Sequence, residues 1–159
     1  MKWIIAGVLA VALAACASSS SRSQADLCCL VIRKFPSHTV LGKFTLPEDN
    51  HFSLTFIHSV SGTPVRDEYQ ILTGRIVQKA ETFQAHGAGL PSGTDEPGVT
   101  GWEHIDGRFV IHMQRPITKL VVRTDRNYRN RLHIDSNEIN LNNWEDQALE
   151  LIAIPCAGP

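Results

Sequence analysis

The sequence has no excess of charge of either sign. Its 15 lysine and arginine side chains stand against 16 aspartate and glutamate side chains, and the formal net charge is −1 at pH 7. Proteins that bind nucleic acid electrostatically need a basic face that neutralises phosphates. The near balance of charge therefore argues against nucleic acid as a partner.

The sequence also lacks an apolar run long enough to cross a membrane as a helix. The longest run, residues 3–13, follows the single basic residue Lys2. As a helix it would cover about 20 Å, whereas a bilayer core is roughly 30 Å thick. A short basic start followed by such a run is typical of a secretory signal peptide. We therefore assign residues 1–15 to a signal peptide.

The residues that follow the apolar run resemble the lipobox of bacterial lipoproteins. Leu13, Ala14 and Ala15 precede Cys16, and the resemblance implies cleavage before Cys16 and acylation of that cysteine. Several acyl chains would anchor the protein permanently in a membrane. Ala17 stands where the resemblance would require aspartate for the inner membrane, which implies the outer membrane and a periplasm-facing protein. Ordinary signal cleavage, with an incidental cysteine, is the alternative.

Cysteine is scarce, with 4 in the chain. Once Cys16 is acylated, Cys28, Cys29 and Cys156 remain, and the lack of a second cysteine pair excludes a zinc ribbon. An oxidising periplasm permits disulfides. We expect Cys156 to pair with Cys28 or Cys29, which would join the first strand to the last and leave one thiol over.

No stretch of the chain shows a long amphipathic helical pattern. Short apolar and β-branched segments recur instead, separated by turn residues such as Thr73-Gly74. The pattern predicts an all-β fold, either an antiparallel β-sandwich or a flattened barrel. We expect a lipidated cysteine and serine-rich tether over residues 16–26 and a single β-domain over residues 27–159. Residues 87–107 should form a long glycine-rich loop.

Three consecutive strands, of which the first two form a hairpin, are predicted directly before that loop. Apolar and polar residues alternate over residues 52–60, and a return strand covers residues 65–72. A loop of four residues between them would place Phe56 opposite Tyr69 and His58 opposite Asp67. The third strand should run over residues 75–86. Pro116 is expected to interrupt a later strand.

His58 is the first candidate for chemistry, because it ends the apolar face of a predicted strand. The alternative is a histidine that only forms a hydrogen bond with Asp67. Ser59 would point to the opposite face of the strand, and no Gly-x-Ser-x-Gly elbow accompanies it. We therefore assign no catalytic residue.

Metal ligands of the right chemical type are present without a metal-binding spacing. The residues with zinc-binding side chains are His58, Asp67, Glu68, His86 and His104. No two of them form a tight motif such as His-x-x-x-His. We assign no metal site and no cofactor, and keep only the hypothesis that one or two histidines bind metal weakly.

Residues 87–91 read Gly-Ala-Gly-Leu-Pro and carry no side chain for acid–base chemistry. Their use would lie in the backbone, because glycines allow successive N–H groups to converge on an anion. A rigid turn that ends at Pro91 is the alternative.

Several of these motifs together resemble domain-of-unknown-function family 1850 (DUF1850). They are His58-Ser59-Val60, Pro64-Val65, Glu68-Tyr69, Phe83 and Gly87-Ala88-Gly89-Leu90-Pro91. Members of that family are small, often exported bacterial proteins. They are frequently encoded beside permeases of tripartite ATP-independent periplasmic (TRAP) transporters, especially of the TAXI type. The resemblance implies a role associated with transport and supplies no activity.

We therefore expect a non-catalytic, periplasm-facing binding or accessory module linked to TRAP- or TAXI-type solute transport. Its expected partners are the membrane, through the lipid anchor, a transporter permease or solute-binding protein, and a small-molecule ligand. The expected binding residues are His58, Ser59, Glu68, Phe83, Gly87, Gly89, Leu90 and Pro91. The alternatives are a metal-assisted or His/Glu-dependent hydrolase and a structural envelope lipoprotein.

Overall fold

Strands dominate the part of the chain that the structure, a computed structural model, describes: residues 28–85, 89–91, 93 and 95–156. The strands are β1 (Cys28–Lys34), β2 (Val40–Thr45), β3 (His51–Ile57), β4 (Pro64–Leu72), β5 (Arg75–Phe83), β6 (Val99–Ile105), β7 (Arg108–Ile117), β8 (Leu120–Arg123), β9 (Arg131–Ile134), β10 (Asn137–Asn140) and β11 (Ala148–Pro155). Two 3-10 turns are Arg126–Tyr128 and Leu141–Trp144. The predicted signal peptide, Cys16, the tether and Gly87 lie outside the described residues.

The strands form two antiparallel sheets. The smaller has the order β2-β1-β11-β8, and the larger has the order β10-β9-β3-β4-β5-β7-β6. The two sheets pack face to face without closing on each other, so the predicted all-β sandwich is confirmed and the flattened-barrel alternative is wrong. Within the described residues, no helix is long and apolar enough to span a membrane.

The main core lies between the two sheets. It follows from the alternation along each strand, which sends every second side chain inward. The smaller sheet contributes Leu30, Ile32, Leu149 and Leu151, and the larger contributes Phe52, Leu54, Tyr69, Ile71, Ile76, Leu132 and Ile134. The rings of Phe52 and Tyr69 stack with their centroids 5.2 Å apart.

A second apolar cluster occupies the other end of the larger sheet. Val65, Phe83, Ile111 and Met113 are its buried members, and Phe56, Leu90, Val99, Trp102 and Phe109 pack against them. None of these residues belongs to the smaller sheet. Leu90, from the segment after β5, packs against this cluster. The inward face of the larger sheet is therefore contacted by the smaller sheet at one end and by this segment at the other.

The β3–β4 hairpin has the predicted faces but a different register. Phe56 lies opposite Val65, and Tyr69 lies opposite Phe52, so the predicted pairing is wrong by four residues. The cause is a longer loop: β3 ends at Ile57, and the N–H of His58 bonds to the carbonyl of Thr63 at 2.9 Å. Because four is an even number, each side chain keeps its face.

Three predictions for the middle of the chain are wrong. The loop predicted for residues 87–107 contains β6, which a tight turn at Asp106 and Gly107 joins to β7. Pro116 does not interrupt a strand but lies inside β7. The N–H of Gln114 donates to the carbonyl of Gly98, on the side of β7 that faces β6. A backbone N–H at position 116 would point to the same side, where β6 has not yet begun and offers no acceptor. A proline there removes no ladder hydrogen bond. The strand predicted over residues 75–86 ends at Phe83.

The first and last strands of the described chain are linked covalently. Cys29 and Cys156 form a disulfide, and Cys28 is the free cysteine among the described residues. The structure thus confirms the predicted link and selects Cys29 from the two alternatives. An ion pair between Arg33 and Glu150, 2.9 Å long, joins the same two strands.

Candidate ligand-binding site

A cavity of about 230 Å³ opens between the two sheets. Leu54, Phe56 and Tyr69 of the larger sheet line one side, and strand β8 lines the other. Leu141, from the second 3-10 turn, contributes to the same lining. β8 is an end strand of the smaller sheet, so the cavity opens where that sheet stops. We call this space the inner cavity.

Asp67 is the acidic residue that lines the inner cavity. It faces inward because it alternates with buried Val65 and Tyr69 along β4. Its oxygens accept a hydrogen bond from the Tyr69 hydroxyl at 3.3 Å and from Gln78 Nε2 at 3.2 Å. Both donors are neutral, and no ion pair to Asp67 is formed within the described residues. Burial raises its pKa from 3.8 to about 6, against the effect of these hydrogen bonds. Asp67 is therefore a carboxylate at neutral pH.

A second carboxyl group, that of Glu81, lies beside Asp67 on the neighbouring strand, because the two residues are paired across β4 and β5. Glu81 is buried, and its pKa is raised from 4.5 to about 8, first by burial and next by the charge of Asp67. Two adjacent carboxyl groups do not ionise together easily. At neutral pH this carboxylate pair therefore carries one negative charge, and Asp67 is the group of the pair with the lower pKa.

A bulge in β5 makes this arrangement possible. The register between β4 and β5 shifts between Gln78 and Ala80, which leaves Lys79 as the additional residue. Three positions apart on a regular strand, Gln78 and Glu81 would point to opposite faces. The bulge reverses the alternation between them, so both side chains point inward beside Asp67.

Arg115 of β7 lies close enough to lower the pKa of both carboxyl groups by its charge. Its guanidinium donates to the carbonyl of Pro97 at 3.2 Å and to Glu96 Oε2 at 3.4 Å. The same side chain thus contacts the segment before β6 and places a positive potential near the carboxylate pair. This connects the pair to the chain that precedes β6.

An outer cavity of about 480 Å³ adjoins the inner one and shares Phe56, Arg123 and Asn130 with it. His58 and Ser59 line this outer cavity. We refer to the two together as the intersheet cleft. The structure therefore places two of the predicted binding residues at the mouth of a space whose interior holds Asp67.

His58 shapes the β3–β4 loop. Its Nδ1 accepts hydrogen bonds from the backbone N–H groups of Val60, at 3.3 Å, and Ser61, at 3.1 Å. A ring nitrogen that accepts carries no proton, so these bonds assign the neutral imidazole with its proton on Nε2. His58 is buried, whereas Ser59 is exposed. The imidazole thus stabilises the loop conformation. The predicted pairing of His58 with Asp67 is wrong, because Asp67 lies opposite Leu54.

Glu68 does not lie in the intersheet cleft. It points to the other face of β4, where it forms an ion pair with Arg66 at 3.0 Å and lines a depression with His51 and His133. Glu68 also lies five positions beyond Thr63, the residue bonded to His58, or about 16 Å along an extended strand. The structure therefore separates Glu68 from His58, although both were expected to be binding residues.

The remaining predicted residues lie in or near the second apolar cluster. Phe83 is fully buried in it, and Leu90 packs against it. Pro91 is buried as well, and Gly89 has a φ of 91°, a conformation that favours glycine. Phe56 belongs to the same cluster and also lines both cavities, so the cluster joins this segment to the cleft. No group of three or more potential metal ligands occurs among the described residues.

Fold and site together define an all-β sandwich with a ligand-sized cleft between its sheets. The family model "Domain of unknown function (DUF1850)" matches residues 52–141, which is more than half of the 159-residue chain. The chain belongs to this family, as its motifs had indicated. Every lining residue of the inner cavity, from Leu54 to Leu141, falls within the matched segment. No curated protein and no solved structure matches the chain.

Proposed function

We propose that this protein is a non-catalytic binding module that takes a small solute into the intersheet cleft and acts as an accessory to TRAP- or TAXI-type transport. The observation that carries the proposal is Asp67, a carboxylate in a largely apolar cavity. Asp67 accepts hydrogen bonds from two neutral donors and forms no ion pair with Arg123 or Arg131 on the same lining. Such a charge costs stability, and perturbed carboxyl groups concentrate at functional sites. A purely structural envelope lipoprotein would gain nothing from a buried charge that lowers its stability.

Ligand binding is tested by the melting temperature of the mature, lipidated protein in detergent. A ligand that binds only the folded state stabilises it by about 2.7 kcal/mol at a concentration of 100 Kd. Small amines, carboxylates and sugars should be screened against wild type and against Val122→Trp, which fills the cleft from β8. We expect at least one class to raise the melting temperature of wild type alone. A screen in which none does so would count against the binding proposal.

The envelope location is a separate part of the proposal. It rests on the resemblance of residues 13–16 to a lipobox and on the short apolar run before them. Acylation of Cys16 would place the domain on the outer membrane, facing the periplasm. Globomycin, which blocks lipoprotein signal cleavage, should leave an unprocessed precursor, and Cys16→Ser should give an unlipidated chain. Normal maturation under the drug would contradict the assignment.

The transport link rests on family membership and predicts a protein partner. With the lipid anchor retained, the protein should co-purify with a co-expressed TRAP permease or its solute-binding protein. An unrelated outer-membrane lipoprotein with the same tag is the control. Equal recovery with that control would remove the transport link while leaving ligand binding untouched.

The hydrolase alternative receives no support from the geometry of its proposed residues. It required His58 and Glu68 in one pocket, and these side chains line different cavities on different parts of the larger sheet. Ser59 also lacks His58 as a base, because Nδ1 of His58 already accepts two backbone N–H groups. The cleft therefore favours binding over hydrolysis.

A further inference from the structure

The charge and the shape of the inner cavity narrow the class of solute that it would accept. Its walls are formed mostly by aliphatic and aromatic side chains, among them Leu54, Phe56 and Leu120. Its acidic group is Asp67, whose partners Tyr69 and Gln78 use donors without charge. Arg123 and Arg131 also line the cavity, but Arg131 is paired with Glu138 and neither arginine forms an ion pair with Asp67. Asp67 is thus a negative charge in a mostly apolar cavity that no protein cation in direct contact neutralises.

We infer, on the basis of the proposed function, that the intersheet cleft binds a small organic ammonium ion. The apolar body of this ion lies between the sheets, and its N–H groups donate to Asp67. An ammonium bonded to a carboxylate supplies a charge-assisted hydrogen bond, which is stronger than a neutral one. Phe56 and Tyr69 contribute aromatic rings to the same lining, and an aromatic ring attracts a cation that lies over its face.

The charges around Asp67 are compatible with a single ammonium group. Tyr69 on its own strand is neutral, because burial raises the pKa of this phenol further above its ordinary value. Glu81 on β5 is protonated at neutral pH. Arg115 on β7 is engaged by Glu96 and the Pro97 carbonyl. Arg123 on β8, which lines both cavities, is exposed and lies toward the mouth of the cleft. Arg131 on β9 also lines the inner cavity, where its guanidinium pairs with Glu138 at 3.3 Å and donates to Asn140 at 2.7 Å.

Three probes of matched shape separate the ammonium from the rest of the molecule: 2-phenylethylamine, 2-phenylethanol and 3-phenylpropionate. Isothermal titration with the mature, lipidated protein should give a dissociation constant at least tenfold lower for the amine than for the alcohol. The amine should lose at least tenfold in affinity below pH 6, where Asp67 takes up a proton. Equal binding of amine and alcohol, or preferred binding of the carboxylate with dependence on Arg123, would overturn the inference.

Two variants of equal charge change provide the control. Asp67→Asn should remove the advantage of the amine over the alcohol, whereas Glu68→Gln, on the other face of the same strand, should leave it unchanged. Asp67→Asn removes a buried charge, so the variant should stay folded. Its melting temperature checks that any loss of binding is not caused by unfolding. If the amine advantage survives in Asp67→Asn, the inference is wrong. If the alcohol or the carboxylate still binds and Val122→Trp abolishes it, the proposed function stands while the ammonium inference falls.

Discussion

Asp67 shows how a single side chain sets the balance between stability and binding. The folded protein raises its pKa to about 6, so the folded state holds the proton more tightly than the unfolded chain does. The stability that this group contributes is therefore largest below pH 4 and is lost as the pH rises from about 4 to about 6. At neutral pH the ionised carboxyl is a net cost to folding.

Asp67→Asn should therefore stabilise the protein at high pH and leave it nearly unchanged at low pH. The amide keeps an oxygen that can accept from Tyr69 and Gln78 without the buried charge. At pH 8 we expect a gain on the order of 2 kcal/mol in the free energy of unfolding, measured by urea titration. At pH 4 the two proteins should unfold alike. A destabilised variant at pH 8 would show that the charge has a compensating partner.

His58 makes a different contribution at the same scale, since its ring accepts two backbone N–H groups of the β3–β4 loop. His58→Ala should lower the free energy of unfolding by about 1 kcal/mol. The two backbone N–H groups lose their acceptor, and water compensates for only part of these hydrogen bonds. His58→Asn retains a side-chain oxygen that can accept locally, and should recover most of the loss. Exposed Ser59→Ala is the control, expected within about 0.5 kcal/mol of wild type. Urea unfolding of the three variants decides whether the imidazole has this role.

At the scale of elements, the strands could be predicted where the alternation was regular. The faces of β3 and β4 followed directly from residues 52–72, and the inward position of Asp67 followed with them. The register did not, because it depends on hydrogen bonds that His58 makes inside the loop. The number of residues between the two strands is compatible with several loop lengths and registers. The hydrogen bonds of the folded loop select one of them.

β6 was missed for a related reason. Glycines and prolines recur over residues 87–107, so the composition of the whole segment favoured a loop although Val99, Thr100 and Ile105 are β-branched. The missed signal was Asp106-Gly107, since both residues have positive φ in the tight turn that joins β6 to β7. The cleft itself could not be predicted, because it is formed by β8 and β3, which are remote in the sequence and belong to different sheets.

The β5 bulge is the element on which the carboxylate pair depends. Ile76 and Phe83 both point inward although an odd number of positions separates them, which a regular strand does not allow. Deletion of Lys79 should restore regular alternation along β5. Either Ile76 or Phe83, together with the residues on its side of the deletion, would then point toward solvent. We expect a loss of 3–5 kcal/mol, as for removal of a large buried side chain. Lys79→Ala keeps the bulge and should unfold within about 0.5 kcal/mol of wild type, which separates the backbone effect from the side chain.

The disulfide predicts a sharp difference between two adjacent cysteines. Cys29 and Cys156 are 127 positions apart, and closing a loop of that length stabilises by about 4 to 5 kcal/mol in the chain-entropy model. Cys29→Ser should lose most of this, whereas Cys28→Ser should keep the disulfide and lose about 1 kcal/mol or less. Peptide mapping without reductant identifies the pair, and thermal unfolding measures the effect. A disulfide between Cys28 and Cys156 in wild type would contradict the assignment.

For the molecule as a whole, the unequal size of the two sheets determines where a ligand can enter. The main apolar cluster lies between both sheets, and the second cluster lies on the larger sheet alone. The carboxylate pair occupies the inward face between them, on β4 and β5. A solute in the cleft would contact β8 of one sheet and β3 and β4 of the other, so binding should stiffen the sandwich as a unit.

Arg115 connects this arrangement to the segment before β6, and its replacement should change two properties together. Arg115→Gln loses the contacts to Glu96 and Pro97, so amide exchange over residues 95–99 should become at least tenfold faster. Its charge also lowers the pKa of both inward carboxyl groups, and without it both pKa values should rise. The fall of stability with increasing pH should then extend to higher pH, because the folded state keeps its protons longer. Arg126→Gln, an exposed arginine paired with Asp146, removes the same charge at the surface and should change neither property. If both variants behave alike, net charge rather than the position of Arg115 is responsible, and the contacts of Arg115 do not hold the segment before β6.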